Sequence, residues 1–287
     1  MLHFIKMHGL GNDFVVLDWR GAPDRVLTPA QARFIADRRR GIGCDQIVIL
    51  QPGRGTAEAT VRFLNADGSS SGACGNATRC IAGMLMQETG ANSILLASQA
   101  GGLKAWWSDQ PGGDITVDMG PVRLGWQAIP LAEPANTQHM PIEIEGLRDG
   151  IACNIGNPHI TFFVADVEDV ALERLGPQIE THPLFPERVN VEVAEILHDG
   201  AIRMRVWERG AGITEACGSG ACATLVNAVR HGLSERQAQI IVDGGVLEVE
   251  WREQDEHVLL TGPWATVATG DILLPEPAEQ PKEDALA

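Results

Sequence analysis

A chain of 287 residues is long enough for about two domains, each able to bury its own core. Hydrophobic residues make up 44% and charged residues 21%, which excludes wholesale disorder and a fibrous chain. The net charge of −16 has the wrong sign for neutralising phosphates, so no nucleic-acid partner is expected.

Taken in chain order, the start Met1-Leu2-His3-Phe4-Ile5-Lys6 has neither the basic head nor the apolar run of a signal peptide. No later stretch approaches the roughly 18 apolar residues of a membrane span, and a soluble, cytoplasmic protein with no membrane partner is expected. A first helix is predicted from Thr28-Pro29 to Arg39, and a second opens at Cys74, runs through Ile81, Met84 and Leu85 and stops at Gly90. Strands follow at Ile94–Ala97 and Asp114–Met119. A third helix lies near Val170 to Glu180, then a strand at Ile202–Trp207. A fourth helix opens after Cys217, runs through Leu225, Val226 and Val229 and stops at Gly232. Strands at Gln239–Val242, Val246–Trp251 and His257–Leu260 alternate with glycine-rich turns.

Strands outnumber helices in each half, and one helix per half is apolar enough to lie inside a curved sheet, which makes the fold class α+β. The first domain is expected at 1–118 and the second at 119–263, with a strand within 264–274 returning to the first. The tail 275–287, with three prolines, four acids and one lysine, reads as disordered.

The cysteines are Cys44, Cys74, Cys80, Cys153, Cys217 and Cys222. In a reducing compartment they are thiols, and neither Cys-x-x-Cys nor His-Glu-x-x-His occurs, so no metal is expected. Around two of them the chain nearly repeats itself. Ala73-Cys74-Gly75-Asn76-Ala77-Thr78-Arg79-Cys80 is echoed by Ala216-Cys217-Gly218-Ser219-Gly220-Ala221-Cys222, 143 residues on. Gly11-Asn12-Asp13-Phe14 is echoed by Gly156-Asn157-Pro158-His159 at 145 residues, and two similarities at almost one offset point to a duplicated domain. Cys74 and Cys217 therefore each stand at the mouth of a helix, where the N-terminus is expected to lower a thiol toward thiolate. A lone cysteine reads as a small buried hydrophobe, which is kept for Cys44, Cys80, Cys153 and Cys222 but not for the symmetric pair.

Further motifs lie in order along the chain: Met7-His8-Gly9-Leu10-Gly11-Asn12-Asp13-Phe14, Gly41-Ile42-Gly43-Cys44-Asp45-Gln46, Asn65-Ala66-Asp67-Gly68-Ser69, Gly156-Asn157-Pro158-His159 and Glu208-Arg209-Gly210-Ala211-Gly212. With the two cysteine motifs they span nearly the whole chain, which resembles the diaminopimelate epimerase family. Two departures stand out: Cys44 where many members have alanine, and Ala77-Thr78 for a more usual glycine-containing pair. The resemblance implies two pseudo-symmetric lobes, each a curved, mostly antiparallel sheet around a central helix, with a cleft between them, and a homodimer. It implies inversion of one α-carbon of LL-diaminopimelate to the meso isomer, for lysine and peptidoglycan synthesis, without any cofactor.

Such an inversion removes a weakly acidic C–H proton on one face and returns a proton on the other, which two opposed groups do well. Cys74 and Cys217 supply one each. The backbone N–H groups of Gly75 and Asn76, and of Gly218 and Ser219, would stabilise charge developing on the substrate carboxylate. Asn12, Gln46, Asn65, Asn157, Asn190, Glu208 and Arg209 match the family's substrate contacts, with Arg209 suited to clamp the distal carboxylate in bidentate fashion. Glu208 either accepts the distal ammonium or tunes a neighbouring cysteine. His159 either sits near the thiols or is a hydrogen-bonded loop histidine that shapes the site.

Other classes fit less well. Gly68-Ser69-Ser70-Ser71-Gly72 matches a nucleophile elbow formally, but the helix opens several residues later, at Cys74. A pyridoxal-phosphate enzyme needs a Schiff-base lysine, and Lys6, Lys104 and Lys282 have no phosphate loop beside them. A non-catalytic two-lobed binding protein has no need of a thiol at both helix mouths. Proline racemase-like and phenazine-biosynthesis-like isomerases of the same fold are the alternative reading.

Overall fold

The computed structural model describes residues 1–72, 74–99, 101–109 and 112–275; apart from Pro275, the tail expected to be disordered lies outside them. The first half runs β1 (Leu2–Gly9), β2 (Asn12–Asp18), α1 (Pro29–Ala36), β3 (Gln46–Pro52), β4 (Ala59–Asn65), β5 (Ser70–Ser71), α2 (Gly75–Thr89), β6 (Ser93–Ser98), β7 (Gly101–Trp107) and β8 (Ile115–Pro121). The second half runs β9 (Ile151–Asn154), β10 (Pro158–Phe163), α3 (Leu172–Glu180), β11 (Asn190–Ile196), β12 (Ile202–Glu208), β13 (Gly212–Ile213), α4 (Gly218–Arg230), β14 (Gln237–Val242), β15 (Gly245–Trp251) and β16 (His257–Gly262), followed by β17 (Ala265–Ile272).

The pairing repeats with the motifs. β2 and β3 pair in parallel, as do β10 and β11; β4 and β6 pair in parallel, as do β12 and β14; most remaining pairs are antiparallel hairpins. An antiparallel β8–β16 pair joins the two sheets, and β17 lies antiparallel to β1. The fold is α+β with two lobes. Period-two alternation explains the layering: along β2 and β3, Phe14, Val16, Val48 and Leu50 pack into the cluster around α2, whereas Val15, Leu17, Ile47 and Ile49 pack under α1. Both faces are buried, so these strands read as continuous apolar runs. In the second lobe a corresponding cluster surrounds α4, and another fills the space under α3.

Local chemistry sets the helix ends. Cys74 and Cys217 are the N-caps of α2 and α4. Gly90 closes α2 in the left-handed region at φ 73°, a conformation open to glycine without steric cost. The first helix stops at Ala36, short of the expected Arg39. Asp37 leaves the helical region at ψ 116°, and its carboxylate accepts the N–H groups of Arg39 and Arg40 at 2.7 and 2.9 Å, turning the chain away.

Helix α2 is buried nearly all round, and Gly83 is where the return strand meets it. A Cβ built on Gly83 would lie 2.3 Å from the Trp264 ring, just ahead of β17. On helix propensity alone Gly83→Ala would gain about 1 kcal/mol, whereas overpacking a fixed indole costs about 1–3 kcal/mol. The second effect wins: Gly83→Ala is expected to lower the urea midpoint, and a raised midpoint would mean that Trp264 is not held against α2.

Candidate active site

The two N-caps have the same geometry. Cys74 and Cys217 are both extended, and each sulfur accepts the N–H three residues on, from Ala77 at 3.5 Å and from Gly220 at 3.3 Å. The helices meet at their N-termini. A Cβ on Gly75 would approach Leu260 at 2.9 Å, and one on Gly218 would come within 2.8 Å of Leu260 and 3.0 Å of Asn76 Oδ1. Only glycine lets the backbones come so close. Asn76 ties the helices together, donating to Ala216 O at 3.0 Å and to Asn12 Oδ1 at 3.1 Å.

Both cysteines open onto one cavity of about 850 Å³ between the lobes. Asn12, Gln46, Asn65, Gly75, Asn76, Asn157, Asn190, Glu208, Arg209, Gly218 and Ser219 line it too, so the structure brings together every residue singled out above except His159. His159 is fully buried on β10 behind the wall, bonded to Glu192 at 2.6 Å and to Asn157 at 2.9 Å. Gln46 donates to Asn65 Oδ1 at 3.0 Å, and Asn190 is held by Pro158 O at 2.9 Å. Arg209 is exposed, with one guanidinium N–H on Glu187 O at 3.0 Å. Cys44, read as a plain buried hydrophobe, is buried but also borders the cavity.

Electrostatics correct one expectation. The helix N-termini do not bring the thiols toward thiolate in this state: burial pushes Cys74 up to about 12, against the N–H of Ala77, and raises Cys217 well above its ordinary value. The negative field of Glu208 raises Cys217 further. Desolvation outweighs the cap even though both cysteines border the cavity and Cys74 is only half-buried. Burial also lifts Glu208 to about 7, opposed by hydrogen bonds donated by Thr214 and Cys217.

Several contributors escaped the sequence reading. Arg38 lines the cavity and grips Asp13 at 2.9 and 2.8 Å and Asp45 at 2.8 Å. Although burial raises Asp13, Arg38 and Lys6 hold its carboxyl at about 2. Asp45 in turn accepts from Asn12 Nδ2 at 2.9 Å. Arg38 follows directly on a helix, where a cation reads as a dipole complement, and nothing in the sequence marks it as a cavity residue. Thr214 and Glu192 carried no motif at all. Among the described residues, three metal-ligating side chains come within 4.8 Å of one another at His139, Asp149 and His231, none of which borders the cavity.

The chain matches the family model of diaminopimelate epimerase over residues 4–125 and 151–267. It is 54% identical over 284 residues to a diaminopimelate epimerase of Rhodospirillum centenum, covering 97% of this chain and 96% of that one. It is 53% identical over 269 residues to that of Acidiphilium cryptum, covering 94% and 95%. Among solved structures, a probable proline racemase from Agrobacterium radiobacter superposes with a TM-score of 0.70 at 18% identity over 96% of this chain and 94% of that one. A phenazine biosynthesis protein from Bacillus anthracis superposes with a TM-score of 0.67 at 14% identity over 95% and 99%. At such identities these two establish the shared fold alone.

Glu208 gives the site a pH signature whose sign is fixed. Its folded pKa lies above its unfolded value, so the stability it contributes is full below about 4.5 and is lost as pH rises through about 7. The Tm of the wild type minus that of Glu208→Gln is expected to fall across that window. A difference that stays flat or rises would mean that Glu208 is ionised in the folded site throughout.

Proposed function

The chain belongs to the diaminopimelate epimerase family, and we propose that it interconverts LL- and meso-diaminopimelate with Cys74 and Cys217 as its two acid–base groups. The observation that carries this reading is the pair of capping cysteines, in one geometry, on two helices that meet head to head at a single cavity. Each sulfur serves one face of the α-carbon. In one direction the Cys217 thiolate takes the α-proton while the Cys74 thiol gives its proton to the opposite face, leaving a Cys217 thiol and a Cys74 thiolate. The reverse reaction exchanges the roles.

Burial keeps both thiols protonated in the free site, so a base must be generated. Glu208, poised near 7 and acting on Cys217, is the group to which that thiol passes its proton. The choice left open above thus goes to tuning the cysteine rather than holding the distal ammonium. The orphan N–H groups at the first turns of α2 and α4 converge where the α-carboxylate sits, so two helix dipoles act on the charge that develops there. Arg209, at the exposed end of the cavity, clamps the distal carboxylate. With acid, base and carboxylate cradle all supplied by the chain, neither pyridoxal phosphate nor a metal has a role in this scheme.

A proline racemase-like activity is the second reading, and the distal Arg209 argues against it, since a short amino acid leaves its guanidinium unanswered. The reading extends to a homodimer in the cytoplasm, serving lysine and peptidoglycan precursor synthesis. It also takes 1–118 with 264–274 as one lobe, supported by the β17–β1 pairing, and 119–263 as the other. No helix among the described residues is long and apolar enough to cross a membrane.

Incubation with LL-diaminopimelate in heavy water, followed by NMR, is expected to show the meso isomer with deuterium at the inverted carbon. Cys74→Ala and Cys217→Ala are each expected to lose at least about 10³-fold in kcat while remaining folded. Near-wild-type turnover in either would remove that cysteine from the mechanism. Arg209→Ala is expected to impair diaminopimelate turnover without making proline a good substrate; wild-type protein racemising proline equally fast would overturn the substrate assignment.

A further inference from the structure

The two lobes share a backbone plan but differ at one buried place. β2 and β3 pair Phe14 with Gln46, and β10 and β11 pair His159 with Asn190 in the equivalent register. Two residues further along, β3 turns the apolar Val48 toward α2, whereas β11 turns Glu192 toward α4. A Cβ on Gly220, in the first turn of α4, would lie 3.0 Å from Glu192 Oε1 and 3.3 Å from Cys217 Sγ. Where the first lobe has Phe14 and Val48, the second has His159 and Glu192, all four fully or almost fully buried. Charged groups replace apolar ones at a place where desolvation is costly, which calls for a reason.

The hydrogen bonds give one. His159 Nδ1 faces Glu192 Oε1 at 2.6 Å, and its Nε2 faces Asn157 Oδ1 at 2.9 Å. A carbonyl oxygen only accepts, so Nε2 carries a proton, and one further proton lies between Nδ1 and Oε1 whichever atom holds it. Burial pushes the Glu192 carboxyl up while His159 opposes the rise, which keeps that proton in the pair. With its oxygen taken by His159, Asn157 has its Nδ2 donors left for the cavity that it lines. In the first lobe no such relay is needed. Asn12, at the equivalent position, is fixed directly, donating to Asp45 at 2.9 Å and accepting from Asn76 at 3.1 Å.

We propose that Glu192 is a positioning residue for the reaction: through His159 it fixes the Asn157 side-chain amide so that its N–H groups face a carboxylate of the substrate beside Cys217. The relay makes the two faces of the site inequivalent although the backbone around them is nearly two-fold. This proposal rests on the epimerase reading for its substrate, while the wiring itself has a readout independent of turnover.

Glu192→Leu removes the partner of Nδ1 at similar volume and lets the ring and the amide choose other orientations. It is expected to lower kcat/KM for diaminopimelate by about 10²-fold, the scale of one misplaced oxyanion donor. Glu192→Gln, whose amide still donates to Nδ1 and keeps Nε2–H, is expected to remain within about tenfold of wild type. In an Asn157→Ala background, Glu192→Leu is expected to cost less than about threefold more, because the relay then has nothing to orient. With ¹⁵N-histidine labelling, the signal lost in His159→Phe is expected to show a protonated Nε2 in wild type and in Glu192→Gln.

Any of three results overturns the proposal: a folded Glu192→Leu enzyme within about threefold of wild type, an undiminished loss in the Asn157→Ala background, or an unprotonated Nε2 in wild type. Should Glu192→Leu fail to fold, Glu192→Gln kinetics and the wild-type spectrum decide. A protein that leaves diaminopimelate unchanged but shows the protonated Nε2 would refute the substrate reading and leave the relay standing.

Discussion

Everything in this protein depends on the contact between the first turns of α2 and α4. Two helix N-termini, each a partial positive charge, repel one another when brought together, and their orphan N–H groups need acceptors. The chain forces the approach by placing glycine at the first position of each helix, where any Cβ would strike Leu260 or Asn76. Asn76 then stitches the junction, bonding Ala216 in the opposite lobe and Asn12 in its own. The result is a close-packed floor at which two helix N-termini border the cavity, an arrangement that suits an anion. The same packing raises the flanking thiols above their ordinary range.

That packing has opposite consequences for the thiols and for the carboxyl beside them. A thiol pushed to about 12 keeps its proton at neutral pH, whatever the helix dipole contributes. Glu208, raised in the same direction by the same desolvation, moves up to about 7 and interacts with Cys217. One physical cause thus raises a thiol out of the working range and brings a carboxyl into it. The duplication supplied two equivalent thiols, but their surroundings are not duplicated. Asn12, Asp45 and Arg38 surround one side; Asn157, His159 and Glu192 stand on the other.

Much of this could be read from the chain because it is local. The capping cysteines, the glycines behind them and the helices that follow are fixed within a few residues, and the repeat at 143 to 145 residues exposes the two-lobed plan. Gly90 ends α2 because the left-handed region favours it. The first helix stops three residues short of Arg39, because the side chain of Asp37 folds back on the N–H groups of Arg39 and Arg40. That competition between side chain and helix is local too, but propensity does not reveal it.

The sequence by itself determined the fold class, the paired helix mouths and the residue types gathered around them, since those follow from periodicity, capping and repetition. Only the tertiary structure decided how far each group is removed from water, and with it the charge each carries. It placed Glu192 behind Cys217, turned His159 away from the cavity and onto Asn157, and brought Arg38 to Asp13 and Asp45. Desolvation and hydrogen-bond partnership are properties of neighbours distant in the chain, so no window of sequence contains them.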